Sequence, residues 1–315
     1  KKPSVFRFSV HHIGGRSGSR SYPLLEGLEA DIENVMYDAD TSCLDNINNA
    51  LGGKCVILNH CIGGHDCNAE FYIRYSRYES SIMEHTKEYR DSFIFGPKYS
   101  LDTDPAARRT VAVLPVTLRS MDTLFFAHSN PDASAPSFIS IDAEGAEYYI
   151  LTGAPNLLHK NVHGVCVEFI KRVKGYKSLQ DITDLLEEHG FSLVDLKVDG
   201  KITVTDKLRS IALRREGSLG VGEALFLKSP KRIYADHVES MTSLLQAAMT
   251  GLVFGQLEYA LRALETFQDH DGAQWLEEQE RQHGERLPNY MLFLKYFMRT
   301  LADCPPINPI LYTQR

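Results

Sequence analysis

Short apolar runs alternate with amphipathic stretches from residue 5 to residue 228. That alternation restricts the chain to a mostly parallel sheet with helices on both faces. Val5–Val10 reads as the first strand, Asn34–Tyr37 as the second and Lys54–Asn59 as the third. The third is apolar throughout its centre, as a strand buried on both faces should be. Tyr22–Ile32 and Ser42–Leu51 read as the helices between them; Leu44, Ile47 and Leu51 share one helical face, and Gly52-Gly53 ends it. Ser137–Ile141 and Gly164–Phe169 continue the strand series, with helices over Glu147–Leu158 and Ser178–His189. Phe191–Val198 and Glu223–Lys228 read as a closing antiparallel pair. Glu70–Tyr75 and Thr110–Leu118 are expected at a sheet edge, the second because Pro115 has no N–H for a ladder. Residues 76–110 are polar with little periodicity, and read as a mobile excursion of the kind that covers or selects a substrate.

From Tyr234 onward the strand pattern stops. Val238–Leu252, Leu257–Phe267, Ala273–His283 and Asn289–Leu301 all have helical texture, which places a domain boundary near Ser229-Pro230. Residues 1–229 form the sheet-bearing domain in this reading, and residues 230–315 a helical extension free to pack on it, to make a homo-oligomer or to bind a partner. The chain of 315 residues is 43% hydrophobic, enough for a large core. Its net charge of −7 lacks the basic excess that holds a phosphate backbone, so no nucleic-acid partner is expected. The longest apolar run, Leu244–Phe254, is interrupted by Gln246, Thr250 and Gly251 and falls short of the roughly 20 residues that span a bilayer. Lys1-Lys2-Pro3 runs straight into Val5-Phe6, unlike a signal peptide, and the expected location is cytoplasmic. The six cysteines, at 43, 55, 61, 67, 166 and 304, fit no zinc-finger spacing and are expected as reduced thiols.

Three strand ends carry the candidate chemistry. After the first strand, His11-His12 leads into a loop with Gly14, Gly15, Ser17 and Gly18, whose glycines allow close backbone approach to a ligand. The spacing is not GxGxxG, so a flexible turn is an equal reading. The second strand ends at Asp38, about 20 residues beyond that loop, where an acid accepts hydrogen bonds from ribose hydroxyls. Asp40 suits the cap of the following helix. The third strand ends near His60 and Ile62, with Ile62 suited to lie against an adenine ring. In mid-chain, Phe138-Ile139-Ser140-Ile141 is followed by Asp142, Glu144 and Glu147 around Gly145. Ligands gather at the carboxyl ends of strands in open α/β sheets, which favours a role in chemistry for Asp142 and Glu144. Glu147 reads equally as an acid placed against a helix dipole. His12 or His11, at the mouth of the first strand, is a candidate general base. Glu168, among apolar neighbours at a strand end, reads either as an ion-pair partner of Lys171 or Arg172 or as a substrate contact. An Asp/Glu pair with His can ligate a divalent metal, but the spacing is not diagnostic and no metal site is assigned.

Ile141-Asp142-Ala143-Glu144-Gly145-Ala146-Glu147, followed by Leu151, Gly153 and Ala154, resembles the signature of the FkbM-type methyltransferases. Cys55–Phe71 is similar to that family's strand, A-I-G-like turn and edge strand, and Val113–Leu124 to the segment before the signature. The resemblance runs over roughly residues 5–228. It implies a class I methyltransferase fold, Rossmann-like, with a mostly parallel seven-stranded sheet containing one antiparallel strand, here followed by the C-terminal α-helical extension. It also implies S-adenosylmethionine as cofactor and O-methylation of a hydroxyl on a small-molecule or saccharide acceptor. Taken with the strand-end readings above, Gly14, Gly15, Ser17, Gly18, Asp38, Ile62 and Asp142 are the expected cofactor contacts, with Asp142, Glu144 and His12 the expected catalytic groups. The first loop departs from the family's D-x-G-A-N-x-G. Phe8 and Val10 stand at its Asp and first Gly, and His11-His12 replace A-N. Ser140 stands where a lysine is common, and Asp38 where Glu-Pro is frequent. An alternative of another class is therefore a non-catalytic nucleoside-binding scaffold that works through its helical tail. An NAD-dependent oxidoreductase is weaker still, since the full glycine fingerprint is missing.

Overall fold

The computed structural model describes residues 6–14, 31–38, 55–91, 93–95, 108–127, 133–170, 173–203 and 218–303. Among the described residues the strands are β1 (Phe8–Ile13), β2 (Ile32–Tyr37), β3 (Cys55–Leu58), β4 (Cys61–Ile62), β5 (Cys67–Arg74), β6 (Phe93–Phe95), β7 (Thr110–Arg119), β8 (Phe138–Ile141), β9 (Gly164–Ile170), β10 (Phe191–Thr203) and β11 (Ser218–Lys228). The main sheet has the order β3-β2-β1-β8-β9-β11-β10-β6. β3, β2, β1, β8 and β9 run parallel, and β11 is antiparallel to both β9 and β10. This is the seven-stranded plan implied by the family resemblance, with β6 added as a short eighth strand antiparallel to β10. The first three strands step outward from β1 and the later ones step outward from β8. The strand order therefore reverses between β1 and β8, where open sheets of this kind leave a crevice.

A second sheet, β4-β7-β5, stands beside the main one. β7 is its middle strand rather than an edge. Pro115 is tolerated because β4 reaches only Leu118 and Arg119, leaving the rest of that side of β7 open. Part of the polar excursion is built onto this sheet, while β6 joins the main one. Arg77–Glu79 forms a 3-10 turn, Ser81 bridges Tyr72, and Lys87–Arg90 is a helical turn capped by Thr86. Buried Tyr89 donates its hydroxyl to Glu79 at 2.8 Å, and Arg108 stacks over the Tyr89 ring at 4.4 Å while donating to its carbonyl.

Helices cover both faces of the main sheet. One core joins Ile139, Ile141, Val165, Val167 and Phe226 to the helices Glu147–Thr152, Pro155–Lys160 and Leu179–Glu188. The expected single helix over Glu147–Leu158 is two, because Pro155 cannot donate back into the preceding turn and opens a new helix instead. Leu179–Glu188 is set by a capping box in which Ser178 and Asp181 satisfy each other's backbone N–H groups, a device stabilising by about 1 kcal/mol. The other core joins Phe8, Val10, Phe138, Leu225 and Leu227 to the helices beyond residue 230. Ser240–Val253 lies almost wholly buried there, with Pro230–Asp236, Leu257–Asp269, Gly272–His283 and Asn289–Asp303 around it. Fully buried Lys228 ties the two layers. Its Nζ donates to the carbonyls of Leu158 and His159 at the end of one helix and stands 3.7 Å from Asp236 of another. Burial lowers its pKa to about 8, against the opposing pull of Asp236.

β1 begins at Phe8, later than the expected Val5 start, and Ile32 opens β2 rather than closing a helix. The rest of Tyr22–Ile32 up to residue 30, and Ser42–Leu51, fall outside the described residues. Cys55, Cys61, Cys67 and Cys166 are free thiols, and Cys43 and Cys304 lie outside the described residues. Among the described residues no helix is long and apolar enough to cross a membrane.

Candidate active site

Hydrogen bonds between strand ends assemble the site. Gly14 N–H donates to the Tyr37 carbonyl at 3.2 Å, and Asp142 N–H donates to the Ile13 carbonyl at 2.9 Å. The ends of β2, β1 and β8 are thereby held side by side at the reversal of strand order. Gly14 has φ of 80°, and a Cβ there would sit 2.0 Å from the Asp142 carbonyl oxygen. Its missing side chain is thus required by the neighbouring strand end, in addition to any ligand above it.

An open cleft lies over these ends. Gly14, Asp38, Ile62, Asp142 and Glu144 all line it. So does His60, whose pKa is lowered by burial and by Arg119. Gly15, Ser17 and Gly18 fall outside the described residues.

The acidic bend is held open by Glu147. One oxygen of its buried carboxylate, Oε1, accepts the N–H groups of both Ala143 and Gly145 at 3.0 Å. The bend needs unusual backbone. Glu144 has φ of 54° and Gly145 φ of 104°, and a Cβ on Gly145 would meet Val173 at 2.7 Å. Glu147 is thus the helix-start residue of the two readings, and it presents Asp142 and Glu144 to the cleft. Burial raises its pKa from 4.5 to about 7, the Asp142 charge adding to the effect and backbone donors opposing it. Folding therefore binds that proton more tightly. The stability it contributes is complete below pH 4.5 and lost as pH rises through about 7. Glu147→Gln keeps the Oε1 acceptor and removes the titration. It is expected to remove a fall of about 3 kcal/mol in unfolding free energy across that window, read by denaturant titrations at several pH values.

Asp142, Glu144 and Glu168 place one carboxylate oxygen each within 4.8 Å of one another. Glu168 joins them because β9 lies beside β8, a neighbour relation no local pattern announces. Three like charges this close favour a positive charge between or beside them, and hard oxygen ligands of this kind suit a divalent cation or an organic cation.

The two histidines of β1 do not line the cleft. His11 is buried between Tyr37 and Ser134. Its Nε2–H donates to the Ser134 carbonyl at 3.0 Å, so Nδ1 accepts from the Tyr37 hydroxyl at 2.8 Å. His12 shares the strand face of Phe8 and Val10, the face covered by the C-terminal helices, and bonds to Asn34. Burial lowers the His11 pKa to about 3 and the His12 pKa to about 4. The expectation of His12 as base is corrected on this point. Strand alternation turns it into the core, and His60 is the imidazole at the cleft.

Ser81 escaped the sequence reading. Its hydroxyl donates to the Ala143 carbonyl at 2.9 Å and accepts from Met83 N–H, fastening the second sheet's flank to the acidic bend. A serine in a polar stretch carries no local signal for this contact.

A model of the FkbM methyltransferase domain matches residues 26–193, more than half of the chain. The chain belongs to the FkbM methyltransferase family. The match begins after the His11–Gly18 loop, the part that departs from the family pattern. The cofactor that membership of this methyltransferase family implies is S-adenosylmethionine. The cleft suits that group chemically. Asp38 offers an acceptor for ribose hydroxyls, Ile62 an apolar surface for a base, and Asp142 with Glu144 negative charge for an ammonium and a sulfonium.

No curated protein matches the chain. Similar solved structures include the magnesium protoporphyrin IX methyltransferase of Synechocystis PCC 6803 with bound SAM, at 10% identity over 71% of this chain and 72% of that one, TM-score 0.36. Precorrin-6y C5,15-methyltransferase of Geobacter metallireducens GS-15 is 11% identical over 71% and 81% of the two chains, TM-score 0.32. A TehB-like SAM-dependent methyltransferase of Corynebacterium glutamicum is 9% identical over 70% and 81%, TM-score 0.30.

Proposed function

We propose that this FkbM domain transfers a methyl group to a hydroxyl of a small-molecule or saccharide acceptor, with Asp142 as general base. The supporting observation is that Gly14, Asp38, Ile62 and Asp142, drawn from four separate strand ends and turns, line one cleft. When bound, S-adenosylmethionine supplies an electrophilic methyl carbon on a sulfonium. The chain's own work is alignment and proton removal. Asp38 fixes the nucleoside end, which orients the reacting carbon, and such positioning supplies much of the acceleration in displacement reactions. Asp142, exposed at the cleft, accepts the hydroxyl proton as the acceptor oxygen attacks. Glu144 and Glu168 keep the potential there negative, which disfavours a free anion at the donor end and favours a cation.

Asp38→Ala is expected to weaken binding of S-adenosylhomocysteine by about 100-fold, because ribose hydroxyls lose a half-buried charged acceptor. Titration calorimetry on folded protein measures it, and an unchanged affinity would remove Asp38 from the donor site. An acceptor-dependent methylation assay separates the enzyme from the scaffold reading. Donor binding without transfer to any hydroxyl compound favours the scaffold.

A further inference from the structure

The cleft has two unlike walls. The wall from the main sheet is acidic, with Asp38, Asp142 and Glu144. The rest of the lining comes largely from the second sheet and its flank, with Phe71, Ile73, Ile82, Arg77 and Tyr78. Phe71 and Ile73 point to the same face of β5 by strand alternation, and the β5–β7 register sets Leu114 beside Phe71 and Ala112 beside Ile73. That face therefore continues as an apolar surface past the cleft, ending in Leu114 at 47% exposure, while Tyr78 stands 66% exposed at the cleft itself.

Arg77 differs from the other arginines of this sheet. Arg119 is paired with Asp66 at 2.7 Å, Arg90 stands 3.9 Å from Glu84, and Arg74 donates to Thr110 and to the Met83 carbonyl. Exposed Arg77 lines the cleft and makes no ion pair with another described residue. Two of the nearby hydroxyls are already engaged. Ser81 both donates to Ala143 and accepts from Met83, and Ser80 accepts from Arg74 N–H.

Resting on the methyl-transfer reading above, we propose that the acceptor is a hydroxylated molecule with an apolar, ring-bearing body and one anionic group. The body lies against Phe71, Ile73 and Ile82, and the anion meets Arg77. A sugar's hydroxyls would be stripped of water against that wall with few partners in return, a costly exchange. A flat apolar body gains from the same contact. Acids on the donor wall repel an anion, and Arg77 on the other wall attracts it, so charge alone sets the acceptor's direction in the cleft.

The test is fluorescence titration of the full chain, saturated with S-adenosylhomocysteine, using a hydroxynaphthoate and the matching neutral hydroxynaphthamide. The carboxylate is expected to bind about tenfold tighter than the amide, the value of one charge-assisted contact. Arg77→Gln should abolish that difference while leaving S-adenosylhomocysteine affinity unchanged, and Phe71→Ala should weaken both probes together. Equal binding of the two probes, a preference that survives Arg77→Gln, or binding of neither probe to protein that holds S-adenosylhomocysteine overturns the proposal and leaves the donor site standing. Failure to bind S-adenosylhomocysteine overturns the donor site as well.

Discussion

Asp142→Asn is expected to lower the rate of methyl transfer by about 100- to 10,000-fold, the usual span for loss of a general base. The amide keeps the size of the side chain and both backbone roles of residue 142, including the N–H bond to Ile13. It removes the group that accepts the proton. Thermal unfolding should be little changed, since the side chain is exposed and the bend around it is held by Glu147. A steep pH dependence in the wild-type rate, absent from the variant, would accompany the loss. Unchanged turnover in a folded, donor-binding sample would exclude Asp142 as the base and turn attention to Glu144 or His60, both on the cleft.

Gly14→Ala is expected to be the most damaging small substitution at the site. Two costs combine. The backbone at φ of 80° is disfavoured for any residue with a Cβ, by about 1–2 kcal/mol. The new methyl would also overlap the Asp142 carbonyl at 2.0 Å, an atom of the backbone that no rotamer change can move. Relief requires β1 and β8 to part at their ends, which breaks the Asp142–Ile13 bond. The combined loss is expected to reach about 3–5 kcal/mol, in the range reserved for severe core damage. In a chain of this size that lowers the melting temperature by on the order of 10 °C. A variant melting as the wild type does would mean that the strand ends do not approach so closely.

Much of the site was legible because it follows from local rules. An acid placed directly after an apolar strand can be read from a few residues, as at Asp38 and Asp142. The structure sets both on the same cleft as Gly14 and Ile62. Pro155 lies inside the single helix expected over Glu147–Leu158. A single residue without an N–H was enough to split one expected helix in two. His12 misled for a different reason. A histidine at a strand mouth has the right chemistry, but period-two alternation says only that its side chain opposes that of Ile13. It does not say which face carries the cleft.

The amino-acid sequence by itself determined the alternation of strands and helices, the fold class and the acids that follow the second and mid-chain strands. These depend on contacts between near neighbours and on the strong parallel-sheet consequence of alternating strand and helix. Only the tertiary structure decided which side chains meet across the chain. Ser81 reaches Ala143, 62 positions away, and Glu168 joins Asp142 through the adjacency of β8 and β9. Phe71 and Arg77 share a cleft with the acids because the second sheet stands beside the first. Such meetings depend on the order in which strands lie side by side, and that order is chosen by the burial of two whole sheet faces rather than by any short stretch of residues.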